Sequence, residues 1–130
     1  MAVGLLLFRG ASVNAKNHAG ATPLLLAAAQ WAGPLVADQK TILDLLLQKP
    51  DINLNEIAGV HRRTALHQAV VRASTTAVEM LLERGADISI KDSEDKTGRR
   101  LASMLDTAKW KDEKAEIIRL LYGKQKKTKI

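Results

Sequence analysis

The side chains best suited to chemistry are three histidines, His18, His61 and His67, and the carboxylates Asp44, Asp51 and Glu56. Their types and spacing support no reaction. His61 and His67 do not make a metal-ligand pattern, because no cysteine is present and no third ligand is placed with them. The sequence contains no G-x-x-x-x-G-K-[ST] or G-x-G-x-x-G run to cradle phosphates, no G-x-S-x-G elbow and no H-E-x-x-H helix. Asp44, Asp51 and Glu56 are accounted for as helix-surface or turn residues. Arg100-Leu101-Ala102-Ser103 has the form of a basic-directed phosphorylation site, but its serine falls on a helix where small residues pack, and is read as structural. The expectation is a chain with no metal, no cofactor and no small-molecule substrate, hence not an enzyme.

Composition narrows the elements that could position a binding surface instead. The chain has 130 residues, enough for one domain, and aromatics are only 3% of it, so the core must be built from Leu, Ala, Ile and Val. Such residues suit closely packed helices better than a β-sandwich. Absent cysteines exclude disulfides and fit a reducing, intracellular setting. The net charge of +6 sits largely in the last eight residues, which hold Lys124, Lys126, Lys127 and Lys129; without them it would be +2. This basic tail, residues 123–130, is a solvated terminus, or else a nuclear-import or anionic-partner patch. Direct nucleic-acid binding is not expected, since the tail lacks an aromatic for stacking and the body lacks a one-signed stripe. The longest apolar stretch is interrupted by Gln30, Gly33 and Pro34 and falls short of a membrane span, and no secretory signal pattern opens the chain. Cytoplasm is the expected compartment, with the nucleus as the alternative.

Repetition then organises everything. VGLLLFRGASVNAK at 3–16 is rewritten as VEMLLERGADISIK at 78–91, with a weaker copy, ILDLLLQKPDINLN, at 42–55. Val78, Leu81 and Leu82 form an i, i+3, i+4 helical stripe. Gly85 closes it, since glycine readily takes the left-handed conformation of a helix C-terminus. Helix starts follow each turn at Thr22-Pro23-Leu24, Thr64-Ala65-Leu66 and, less well formed, Thr97-Gly98, where threonine caps the first turn. The unit is turn, helix, short turn, helix, stop.

With Thr64-Ala65-Leu66-His67-Gln68-Ala69 and Leu81-Leu82-Glu83-Arg84-Gly85-Ala86-Asp87, the chain resembles the ankyrin-repeat family, whose units have a period near 33. The resemblance covers about residues 4–122. It implies an all-α solenoid of stacked helix-turn-helix units with short hairpin-like turns. The units expected are a partial one at 1–16, units at 17–56 and 57–90, and a C-terminal cap at 91–122. Departures are local. Thr64 follows Thr22 by 42 positions, extra residues fall near 32–39, 54–63 and 107–113, and Pro50 replaces the glycine stop. The apolar Leu5, Leu6 and Leu7 begin the array without a preceding helix. Arg99 and Arg100 in the last unit suit a solenoid end facing water.

The family resemblance further implies a protein partner held along a concave surface of turn tips and first helices. Carried onto this sequence, the surface includes His18, Gln30, Trp31, Arg62, Arg63, Arg72 and Ser93, with His61, Asp92 and Lys96 also at tips. His67 is expected to tie neighbouring turns through hydrogen bonds. Trp31 is either an interface anchor or a plug beneath the Gly33-Pro34 insertion. The alternative to an independent binder is an array end that docks onto neighbouring repeats or another domain of a larger regulatory protein.

Overall fold

A computed structural model describes residues 13–30 and 37–128, and of the last five of these only the helical backbone. Six helices occur among the described residues: α1 (Pro23–Gln30), α2 (Ala37–Leu47), α3 (Ala65–Val71), α4 (Thr75–Glu83), α5 (Gly98–Ser103) and α6 (Lys111–Thr128). No strand is found among these residues, only an isolated antiparallel bridge between Ala58 and Arg63. The all-α class expected from the sequence is therefore found.

Each odd-numbered helix starts in the same way. The hydroxyls of Thr22, Thr64 and Thr97 accept from the N–H of Leu25, His67 and Arg100, each at 3.3 Å. One otherwise orphaned donor of each first turn is thereby satisfied. Pro23 opens α1 at the position where a missing N–H costs nothing.

The helices lie in two rows. α3 packs between α1 and α5, while α4 packs between α2 and α6, and each pair is joined across the rows as α1 to α2, α3 to α4 and α5 to α6. One continuous apolar core runs through these layers, including Leu24, Leu46, Val70, Leu81, Ile117 and Leu121, all at most 1% exposed. Ala69 and Ala102, wholly buried, keep the first helices close. This is the stacked order of a repeat array, in which each unit buries its apolar side on the next.

Helix stops follow local chemistry. Gly85 has φ +89°, its N–H donates to Leu82 O at 3.0 Å, and Ala86 N–H donates to Leu81 O at 3.1 Å. These two bonds make a Schellman stop. The same pair closes α3, where Ala73 N–H reaches Val70 O and Ser74 N–H reaches Ala69 O, both at 2.9 Å. Here the left-handed residue is Ala73, φ +54°, its methyl buried in the core. At Pro50 a left-handed stop is ruled out; α2 instead ends with Lys49 N–H on Leu46 O and Ile52 N–H on Lys49 O.

The extra residues near 107–113 divide between a loop and a helix, since 111–113 form the first turn of α6. Residues 104–110 lie outside α5 and α6 and form a tied loop. Lys114 Nζ donates to Leu105 O and Thr107 Oγ1 at 3.1 and 3.0 Å, and Asp106 Oδ1 accepts from Ala108 N–H at 2.9 Å. Residues 1–12, which hold Leu5, Leu6 and Leu7, and residues 31–36, which hold Trp31 and most of the first insertion, lie outside the described residues; the rest of that insertion, 37–39, opens α2.

Candidate partner-binding surface

The turns that precede the first helices are built by single polar side chains. Asn17 Oδ1 accepts from the N–H of Ala19 and Ala21, both at 2.9 Å. Asp92 Oδ1 accepts from Glu94 and Lys96 at the same distance, two and four residues on. Gly20 and Asp95 take the left-handed conformation at matching places. The middle turn is different. Ala58 and Arg63 exchange both backbone hydrogen bonds, and the loop between them turns through left-handed Gly59 and Arg62, φ +84° and +51°.

Neighbouring turns are locked together. Ser93 N–H donates to His61 O at 2.8 Å, and Arg63 Nε donates to Asp92 Oδ2 at 3.2 Å. The Asp92 side chain is fully buried and that of Arg63 only 14% exposed. Burial alone would raise the Asp92 pKa, but N–H donors of Lys96 and Glu94 and the Arg63 guanidinium outweigh it and hold the carboxyl below its usual range. Asp92, expected at a tip, is thus the anchor of the turn.

His67 joins the same junction. Its Nδ1 accepts from Thr64 N–H at 3.1 Å while Thr64 Oγ1 accepts from His67 N–H, a reciprocal capping box. That leaves Nε2 to carry the proton and donate to Lys96 O of the following turn at 3.0 Å. Burial pushes the His67 pKa below 6.5, favouring the neutral ring, despite opposing contributions from Lys96 O and Asp92. The role expected for His67 in tying turns is the one found. Farther out, Asn14 accepts from Asn53 N–H at 2.8 Å and Asn55 from Asp87 N–H at 2.9 Å, linking successive units again.

The positions singled out from sequence separate into two groups. His18, Gln30, Arg62, Arg72 and Ser93 are exposed. His18 and Ser93 each directly follow the residue that organises their turn, and Gln30 and Arg72 each stand eight positions after a capping threonine. α1, which ends at Gln30, packs beside α3, which Arg72 follows. Arg63 belongs to the junction through its pair with buried Asp92. Trp31 lies outside the described residues.

Two apolar side chains next to these elements are exposed: Val60, 91% exposed on the middle loop, and Met104, 54% exposed after α5. Val60 was not singled out from the sequence, although the lengthening near 54–63 was its available signal. Among the described residues no cluster of three His, Cys, Asp or Glu could hold a metal. No helix among them is long and apolar enough to cross a membrane.

Known proteins resemble this chain in sequence. A family profile described as "Ankyrin repeats (3 copies)" matches residues 2–92. The chain is 35% identical over 109 residues to "Ankyrin repeat and SAM domain-containing protein 6" of Rattus norvegicus, an alignment covering 84% of this chain and 11% of that protein. It is 30% identical over 100 residues to "Putative palmitoyltransferase ZDHHC13" of Danio rerio, covering 77% and 14%. It is 31% identical over 102 residues to "Alpha-latrotoxin-Lg1a" of Latrodectus geometricus, covering 77% and 7%. The chain thus spans only a small part of the length of these relatives.

Proposed function

Because the chain belongs to the ankyrin-repeat family, we propose that it is a non-catalytic recognition module that holds a partner protein along its turn tips and first helices. The observation that carries this reading is the middle turn. Val60, His61 and Arg62 stand in solvent on a loop closed at its base by the paired hydrogen bonds of Ala58 and Arg63. An apolar side chain and a cation held on a fixed loop lose little freedom on association. Arg62 takes a left-handed backbone that non-glycine residues rarely adopt, a form of local strain associated with functional surfaces.

His18, Gln30, Arg72 and Ser93 supply polar contacts on the neighbouring positions, and Trp31 joins them by its place after Gln30. Arginine and tryptophan are over-represented among residues that dominate binding energy. We take units 17–56 and 57–90 as the body of this surface and 91–122 as the unit that closes it.

Affinity capture from cell extract tests the assignment. Wild-type chain and an Arg62→Glu/Arg72→Glu variant are compared after circular dichroism shows that both fold. Loss of one specific protein from the variant identifies partner and surface together. Unchanged capture removes this face from the proposal.

A further inference from the structure

The junction between the middle and last units has three receiving positions. Arg63 takes the carboxylate of Asp92, His67 Nε2 donates to Lys96 O, and Leu66 lies beneath Gly98, where an added Cβ would meet it at 3.8 Å. Thirty-three positions later the equivalent residues are Lys96, Arg100 and Arg99. A basic set thus occupies the places where an incoming turn would dock. Among the described residues after α5 no such turn is present. α4 ends one residue after Leu82, but α6 continues seven residues beyond Leu121, so the next segment runs on along the helix.

Arg99 carries the second observation. Its guanidinium stands 4.9 Å from the ring centre of Tyr122, and its Nε and Nη2 are buried with no hydrogen-bond partner among the described residues. Donors so placed favour an acceptor strongly. Arg100 is exposed, Tyr122 is 52% exposed, and Lys96 is shared with Glu94 at 3.3 Å. Past Tyr122 the sequence adds Lys124, Lys126, Lys127 and Lys129 and no acid.

We propose that this end of the stack binds an acidic peptide segment of a partner protein. Its carboxylates meet Arg99 and Arg100 as Asp92 meets Arg63, and the Tyr122 ring moves aside to admit them. Guanidinium and carboxylate make strong, directional pairs, and this fold already uses one at the preceding junction. A single-stranded nucleic acid would bring phosphates but also needs aromatic platforms for its bases, and Tyr122 is the one such ring beside the arginines among the described residues. The side chains carry the site; Thr97 already caps the Arg100 N–H of this short helix.

Fluorescence anisotropy of a labelled octaglutamate peptide at low salt tests the proposal. Wild-type chain is expected to bind it, and Arg99→Leu/Arg100→Ala to weaken binding about tenfold or more, as loss of charge-assisted bonds implies. Arg99→Leu restores the residue of the two earlier units, so circular dichroism should show an intact fold. Arg100→Ala alone should give a smaller loss. The proposal is overturned if the wild type fails to bind or the double variant binds equally. It is also overturned if only replacement of the four tail lysines by glutamine abolishes binding, or if an oligothymidylate of equal charge binds more tightly.

Discussion

The middle and last helix pairs begin from the same threonine cap and diverge within three residues. After Thr64 come Ala65, Leu66 and His67; after Thr97 come Gly98, Arg99 and Arg100. Both α3 and α5 form, so the cap and the apolar stripe suffice for a helix once a neighbour covers it. What differs is readiness for another layer. Leu66 and His67 bury themselves under the next turn, whereas Arg100 remains exposed and Arg99 lies against Tyr122. The connections differ likewise: residues 72–74 close α3 tightly over a buried Ala73, while 104–110 make a longer loop tied by Lys114. The repeat motif therefore encodes stacking more than helicity.

Exchanging residues between these units probes the difference. Leu66→Arg puts a charge beneath Gly98 without a partner and should destabilise by about 3–5 kcal/mol, whereas Arg99→Leu should be neutral or stabilising. Urea denaturation of both variants measures this, and equal effects would erase the distinction. The two similar turns offer a second test. Asp92→Ala removes the oxygen that accepts from two backbone N–H groups and leaves the largely buried Arg63 without its carboxylate, a loss of about 2–4 kcal/mol. Asn17→Ala empties the same geometry in an exposed turn and should cost about 1 kcal/mol.

The pH dependence isolates His67. Its folded pKa is lowered, so the unfolded chain binds more protons and stability is complete above about pH 6.5, then falls as pH drops toward the folded value. Denaturation midpoints between pH 7.5 and 5 should decline in the wild type and much less in His67→Gln; equal declines would move the effect elsewhere. The smallest effects concern the two left-handed stops. Gly85→Ala should cost about 1 kcal/mol in thermal or urea unfolding. Ala73→Gly should change stability by only about 0.5 kcal/mol either way, because relief at positive φ offsets loss of a buried methyl.

Features set by neighbouring residues in the chain are legible in the sequence. The capping threonines, the Gly85 stop and the stripe of Val78, Leu81 and Leu82 are local arrangements, and the repeated phrases placed them in order. The partner positions His18, Gln30, Arg62, Arg72 and Ser93 could be named only through family resemblance, and their exposure is consistent with a surface without assigning one. Asp92 was misplaced because a carboxylate in a polar turn reads as solvated. Its burial depends on Arg63, twenty-nine positions earlier, being brought beside it by stacking. Ala73 carried no sign at all: alanine seldom adopts positive φ, and the room it fills is made by the surrounding core.

Buried contacts between successive units join the layers, and a double-mutant cycle on Arg63 and Asp92 measures one such contact. Urea denaturation of Arg63→Ala, Asp92→Ala and the double variant should give a coupling of about 1 kcal/mol or more. Strict additivity, within about 0.3 kcal/mol, would mean that the two side chains do not bridge the units and would contradict the stacked junction.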